Sequence, residues 1–554
     1  MPVDPMAVDT APGWSKLAAR IAFAAFLLSV LSGLLLPVYT DEIGWRMQLR
    51  AGIDGGFDRM LSDICGPGTT AAPPLFMMPI RYVTGWLNLT FPDPFYVRII
   101  GVSIALGWAL LLRALICRLA ADAGQRNILI ALFFALLGMG VLPIILTMSR
   151  PDQVILLTMT AAILVASLAT AKAEPETQRR FAWFWPLAIA VLGVVAISSH
   201  LKGILITPVV LVCIALAGKG KGTVIARIAA ALLFAAMSLQ AASYWTQRFR
   251  CPDDPALAAR LSKENIASVF ARGGDWRKEA LTALKGADPN LYIARAEARP
   301  EPTSAWLPKD RITKSAMALR YLPMDFAWNA AMLLGLFCLV RALQLRWRER
   351  RIDLAVAAAP VLAGLVLVWG ISQRTKNDYE IVLMLPMLAL FCLLSMTAIA
   401  WTPARSRMLA IAAALLVAVS VIGQIDIARR YFPPLYRAAV QPGYVEGQRT
   451  SLSAYGYSSI RGQILATARQ CGIGTHGRAR HVLVDDASYF AMAGSWQPMH
   501  YLGVIGQWRG SIRDPIAYLK SRGSEGMILG CQYLEPALRR QAIRNGDFCC
   551  IATQ

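Results

Sequence analysis

Long apolar stretches separated by short polar segments recur along most of the chain. An α-helix needs roughly 20 apolar residues to cross the bilayer core, so this pattern predicts about eleven transmembrane helices. The predicted spans are residues 21–38, 95–117, 128–147, 153–170, 181–198, 204–217, 224–242, 322–343, 354–371, 381–400 and 408–425.

The remaining C-terminal part, residues 426–554, contains no such run. Its pattern predicts a helix over residues 460–470 and short strands at 481–484, 526–529 and 548–552, which is typical of a small α/β domain. It has no glycine-rich phosphate loop and no metal-ligand spacing, so we expect an accessory role for it. The sequence therefore predicts three parts of the chain: an N-terminal segment over residues 1–20, a helical polytopic membrane domain over 21–425 and this C-terminal tail over 426–554.

Composition and charge support a membrane protein. Hydrophobic residues make up 56% of the chain and charged residues only 16%, which excludes an ordinary soluble domain. The net charge of +22 does not indicate nucleic acid, because the basic residues lie mostly in short loops on one predicted side. Positive loops stay cytoplasmic, so we expect a cytoplasmic N-terminus and three outer segments over residues 39–93, 244–321 and 426–554.

Six of the ten cysteines fall in these outer segments. An even number of cysteines in an oxidising compartment favours disulfides, although the sequence selects none of the fifteen pairings. The six are Cys65, Cys251, Cys471, Cys531, Cys549 and Cys550.

Carboxylates lie at the predicted outer ends of two helices. Asp41 and Glu42 directly follow the first span, and Asp152 follows Arg150 and Pro151 in a turn with almost no loop. The plain alternative is a solvated loop start for the first two and a helix N-terminal cap for Asp152. Their shared position at the membrane boundary makes these three carboxylates candidate catalytic residues.

Basic residues occupy two short outer turns where the charge pattern disfavours them. His200 and Lys202 lie in one turn, and Arg374 and Lys376 lie in the other. Binding of a lipid-linked phosphate at the outer surface would explain basic residues at these positions, and contact with ordinary anionic headgroups is the alternative.

The apolar stretch over residues 72–89 is short for a transmembrane span and contains prolines. We therefore expect it to form a helix that lies along the outer interface.

The order of these features resembles the GT-C fold glycosyltransferases. Within that group the chain looks most similar to the protein O-mannosyltransferases and the lipid A aminoarabinose transferases. The resemblance covers roughly residues 20–400 and departs from the pattern at Ala72, Phe76 and Met77, which leaves the acceptor open. It rests on Asp41-Glu42, Pro73-Pro74-Leu75, Arg98, Arg150-Pro151-Asp152, Lys202-Gly203, Lys376, Tyr379 and Pro386.

The resemblance implies an inverting transfer of a hexose or pentose from a polyprenyl-phosphate donor to a glycan, lipid or protein acceptor. Asp41 or Glu42 would be the general base, and Asp152 would position the acceptor or assist the base. It implies a multi-pass protein of the bacterial inner membrane, with the tail periplasmic, and leaves a divalent metal ion open. The implied phosphate-binding residues are Lys202, Arg374, Lys376, Tyr379, Arg150 and His200.

Two other classes of membrane protein also have many transmembrane spans and few charged residues within the membrane. A secondary transporter would place its ionisable groups near the bilayer midplane on broken helices, whereas here they gather at helix ends on one side. A polymerase or ligase of lipid-linked glycans would share the donor, but such enzymes rely on basic and histidine residues in one long loop. This chain has four histidines in all, and its first outer loop carries acids instead.

Overall fold

The structure is a computed structural model of the chain. Its helices follow from the apolar runs described above. It describes residues 12–54, 65–66, 69, 71–170, 183–218, 221–248, 251–253, 277–278, 314–349, 352–372, 381–440, 451–452, 455–474, 481–493, 499–501, 515–521 and 523–553.

Helices account for most of the described chain. Short 3-10 segments also occur at Ser32–Leu35, Leu75–Met77, Leu201–Ile206 and Cys531–Tyr533. The α-helices of the described residues are α1 (Trp14–Leu31), α2 (Thr40–Asp54), α3 (Met78–Thr90), α4 (Pro94–Leu119), α5 (Ala123–Leu137), α6 (Leu142–Ile145), α7 (Pro151–Ala169), α8 (Phe184–Ser199), α9 (Thr207–Leu216), α10 (Lys221–Arg248), α11 (Lys314–Glu349), α12 (Leu354–Ser372), α13 (Ile381–Thr397), α14 (Pro403–Val440), α15 (Tyr457–Gln470), α16 (Asp486–Ala493), α17 (Pro515–Ser521) and α18 (Pro536–Gln541).

The predicted helical membrane architecture is confirmed. Six helices of the described residues are long and apolar enough to cross a membrane, and five shorter apolar helices accompany them. Each of the eleven predicted spans overlaps one of these helices. The number of crossings stays a prediction, because the shorter helices reach only 10–17 residues.

Burial divides these helices into central and peripheral ones. Every residue from Ile128 to Leu137 of α5 is buried, and so is all of 382–396 in α13. A helix that is apolar on all sides belongs inside a bundle. α10, α11 and α14 instead expose Leu239, Leu333 and Ile422, as expected for surfaces that contact lipid.

A tight turn between α6 and α7 positions the predicted site. Thr147 in this turn packs directly against Gly101 of α4, where any Cβ would overlap the Thr147 carbonyl oxygen. Gln153 fixes the same turn by donating to the carbonyl oxygens of Gly101 and Leu146. The start of α7, with Arg150 and Asp152, is therefore held against α4.

The tail folds into the predicted α/β domain. The strands of the described residues are β1 (Val38–Tyr39), β2 (Ser451–Leu452), β3 (Val482–Val484), β4 (Met499–Tyr501), β5 (Gly526–Gly530), β6 (Ile543–Asn545) and β7 (Phe548–Ala552). The five-stranded sheet of the tail has the order β4-β3-β5-β7-β6, in which β3 pairs parallel with β4 and β5, and the remaining pairs are antiparallel. The three predicted strands are confirmed to within one residue, whereas β4 and β6 were not predicted.

Disulfides and strand pairing connect the three segments predicted to be outer. The six cysteines of these segments form the bonds Cys65–Cys251, Cys471–Cys550 and Cys531–Cys549, which confirms the expectation of disulfides. The first bond joins the segment after α2 to the segment after α10. β1 pairs with β2 of the tail, so the three segments lie on the same side of the helical bundle.

Candidate active site

Glu42 lies in the first turn of α2 and is completely buried. Its Oε1 accepts hydrogen bonds from Arg98 and from the Ser149 amide, the latter at 2.6 Å, and its Oε2 accepts from the Tyr39 amide at 2.9 Å. Arg98 of α4 is equally buried and also donates to the Thr147 carbonyl oxygen at 3.4 Å. This ion pair joins α2, α4 and the turn before α7, and it leaves Glu42 without exposure to a substrate.

Asp41 differs sharply from its neighbour, because 32% of its side chain is exposed. Its Oδ2 lies 3.6 Å from Nη1 of Arg150. Of the two adjacent carboxylates, Asp41 is therefore the one that a substrate can reach.

Asp152 is buried at the start of α7 and lies between two cations. Its Oδ1 is 2.9 Å from Nζ of Lys202, and its Oδ2 is 3.5 Å from Nε of Arg150. Together with Asp41, these residues form a row of alternating charge that brings three separate elements together. A proline at the first helical position fixes the start of α7, which orients Asp152.

His200 lies in the sharp turn between α8 and the 3-10 segment that carries Lys202. Its Nδ1 accepts a hydrogen bond from the Lys202 amide at 3.2 Å. Burial, and then the charge of Lys202, lowers the pKa of His200 to about 3, so the imidazole is neutral at neutral pH. Gly203 completes the turn, because a Cβ there would overlap the Ala196 carbonyl oxygen of α8.

A cavity of about 80 Å³ opens between α2, α3, α8 and α10. Two buried arginines line it, Arg81 of α3 and Arg248 of α10, and both donate to the hydroxyl of Tyr244. The guanidinium of Arg248 also lies 5.8 Å from the centre of the Trp245 ring. Two guanidiniums in a cavity wall that converge on one hydroxyl offer several N–H donors, which are the groups that contact anionic ligands.

The cavity adjoins the charged row. Its lining residue Trp45 follows Asp41 by about one helical turn on α2. Val154 follows Asp152 by two residues on α7, and Ser199 directly precedes His200. The cavity lining therefore begins about one helical turn from Asp41 on α2 and two residues from Asp152 on α7.

The structure brings together five of the residues predicted from sequence: Asp41, Arg150, Asp152, His200 and Lys202. It places Glu42 behind them as a buried partner of Arg98. The predicted residues Arg374, Lys376 and Tyr379 lie outside the described residues.

Sequence reasoning missed Arg81, Tyr244 and Arg248. Arg81 lies on α3, within the segment that we predicted to be an interfacial helix. That helix is amphipathic, because Arg81 is buried while Tyr82 and Trp86 are exposed; its place along the interface stays a prediction. Both arginines lie on the side where the charge pattern disfavours basic residues, so the same signal that identified Lys202 could have found them.

No protein-family model and no curated protein matches this chain. Solved structures that are similar to it include two GT-C fold membrane glycosyltransferases, the group that the sequence motifs resemble. One is ArnT from Cupriavidus metallidurans bound to undecaprenyl phosphate, at 12% identity and a TM-score of 0.42 over 98% of both chains. The other is the oligosaccharyltransferase AglB from Archaeoglobus fulgidus in complex with an inhibitory peptide and a dolichol-phosphate, at 11% identity and a TM-score of 0.39. That alignment covers 94% of this chain and 70% of AglB.

Proposed function

We propose that this protein is an inverting membrane glycosyltransferase that transfers a sugar from a polyprenyl-phosphate donor to an acceptor hydroxyl. The observation that carries this proposal is the position of one reachable carboxylate, Asp41, beside a cavity walled by two buried guanidiniums. A base next to an anion site is the arrangement required for attack on a phosphate-linked sugar.

The donor phosphate would bind between Arg81 and Arg248. Arginine makes bidentate, charge-assisted contacts to phosphate, and burial strengthens them by excluding water. Among the described residues, the acids Glu42, Asp41 and Asp152 pair with Arg98, Arg150 and Lys202. The guanidiniums of Arg81 and Arg248 donate to the Tyr244 hydroxyl and belong to the cavity wall, where a phosphate could contact them. The lining residues Val154 and Val195 belong to the apolar helices α7 and α8, along which an isoprenoid chain could extend.

In the proposed reaction, Asp41 accepts the proton of the acceptor hydroxyl. The hydroxyl oxygen then forms a bond to the anomeric carbon from the face opposite the phosphate, and the bond from that carbon to the phosphate oxygen breaks. The electron pair leaves with the polyprenyl phosphate, whose charge the arginines stabilise. Attack from the opposite face inverts the anomeric configuration.

The other charged residues would assist these steps. Asp152 would position the acceptor, with Arg150 and Lys202 holding its carboxylate in place. The neutral imidazole of His200 would order the Lys202 turn. Arg374, Lys376 and Tyr379, in the segment that follows α12 in the sequence, stay proposed contacts to the donor phosphate.

The proposed location is the bacterial inner membrane, with the N-terminus cytoplasmic and the tail periplasmic. The positive-inside pattern supports this orientation. The three disulfides fit an oxidising cell-envelope compartment.

Removing either cavity arginine should weaken donor binding. Each hydrogen bond to a charged group contributes about 1.5–3 kcal/mol, so Arg81→Ala and Arg248→Ala should each raise the Kd for polyprenyl phosphate about 10- to 100-fold. Arg227→Ala is a matched control, because Arg227 lies near the opposite end of the same helix. Binding is measured with the purified protein in nanodiscs, and equal Kd values for all three variants and the wild type would refute the phosphate site.

The function itself is tested by comparing cells with and without this protein. Mass spectrometry of envelope glycolipids, glycans and glycoproteins should show the loss of one sugar modification. The corresponding polyprenyl-phosphate sugar should accumulate, because its consumer is missing. Identical envelope glycans and identical lipid-linked sugars in both strains would contradict the proposal.

A further inference from the structure

The C-terminal domain reaches into the candidate active site through a strand. β2 pairs antiparallel with β1, with Val38 opposite Leu452 and Tyr39 opposite Ser451. Tyr39 is the residue whose amide donates to Glu42, and Asp41 follows it by two residues. The backbone that leads into the acids is therefore fixed by the tail.

A second contact reaches the Arg98–Glu42 pair from the other side. The ring of Tyr455 packs edge-on against Phe95 at a centroid distance of 5.5 Å. Phe95 precedes Arg98 by about one turn of α4. Burial raises the pKa of Tyr455, and the positive charge of Arg98 opposes that rise.

A third contact docks the domain on α2. All eight residues of α16 are buried, and this helix packs against both α2 and β2. On α2, Arg46 is buried, lies near Tyr489 of α16 and donates to the Phe91 carbonyl oxygen at 2.7 Å. A pair of two-residue strands is not stable alone, so the β1–β2 pairing depends on this docking.

We infer that the C-terminal domain is a positioning part of the active site and not merely an appended accessory. It holds residues 38–39 by strand pairing and α4 through Tyr455, and these contacts fix the carboxylate of Asp41 beside the cavity. The inference rests on the proposed function, because Asp41 is the base of that reaction. A misplacement of about 1 Å at a reacting group can lower a rate roughly 100-fold.

The test uses substitutions in the full-length protein that weaken the contacts without touching the acids. Ser451→Pro and Leu452→Pro each disturb β2 at a position paired with β1, because proline fixes φ and lacks a backbone N–H. Tyr455→Ala removes the ring that contacts Phe95. We expect each to lower kcat for sugar transfer about 100-fold, with the Kd for polyprenyl phosphate and the Tm close to wild type. Tyr455→Phe keeps the ring and should restore kcat. Ile543→Pro, in the exposed edge strand β6 of the same domain, is the matched control and should retain kcat.

Hydrogen–deuterium exchange of residues 38–42 separates this inference from the proposed function. The proline variants should exchange these amides faster than wild type, whatever reaction the protein catalyses. Unchanged exchange would overturn the positioning role even in an active transferase. Wild-type kcat in Tyr455→Ala and both proline variants would overturn it as well, as would parallel losses of kcat, donor affinity and Tm.

Discussion

Asp41→Asn should lower kcat for sugar transfer by about 10²- to 10⁴-fold, the usual contribution of a positioned general base. The reason is that a neutral amide cannot accept the acceptor's proton, whereas the exposed carboxylate of Asp41 can. Asn has nearly the same shape and can still contact Arg150, so the donor Kd should stay close to wild type. Steady-state kinetics with a synthetic polyprenyl-phosphate sugar would measure both quantities.

Asp122→Asn provides the control for this prediction. Asp122 caps the start of α5 by accepting a hydrogen bond from the Gln125 amide at 2.7 Å, and it lies in a turn predicted to be cytoplasmic. It should keep the wild-type kcat. An Asp41→Asn protein with full kcat would remove Asp41 from the mechanism.

Glu42→Gln should act mainly on stability. The substitution leaves the guanidinium of Arg98 buried without its counter-charge, and breaking a buried ion pair in this way costs about 3–5 kcal/mol. Arg98→Met should cost a similar amount, because it strands the carboxylate instead. The Tm of both variants and of the wild type is measured by thermal unfolding in detergent, monitored as the loss of monomeric protein.

The double variant Glu42→Gln, Arg98→Met distinguishes an ion-pair role from a chemical one. Replacing both partners removes the stranded charge, so the double variant should regain much of the Tm. Glu42→Gln with wild-type Tm but no transfer would assign the role of base to Glu42 instead of Asp41.

Much of the fold could be predicted, because membrane helices and buried strands are directly visible as apolar runs. The strands at 482–484, 526–530 and 548–552 are continuous apolar segments. β6 was missed because its Ile-Arg-Asn sequence is three residues long and partly polar. β2 is shorter still, and its pairing depends on docking of the whole tail, which no local pattern contains.

The site was predictable in location but not in the roles of its residues. Asp41, Asp152 and Lys202 stand out in the sequence because helix ends confine them to one membrane face. The sequence could not separate Asp41 from Glu42, since the difference is the approach of Arg98 from α4. Arg81 of α3 and Arg248 of α10 come together only in the folded chain, so their shared contact with Tyr244 is a tertiary property.

A structure of the protein with bound polyprenyl phosphate, determined by cryo-electron microscopy in nanodiscs, tests the central claim most directly. The predicted result is phosphate density between the guanidiniums of Arg81 and Arg248, with the isoprenoid chain leaving along α7 and α8 and the Asp41 carboxylate facing the same space. A phosphate bound away from both arginines, or on the face of the bundle opposite Asp41, would contradict the proposed function.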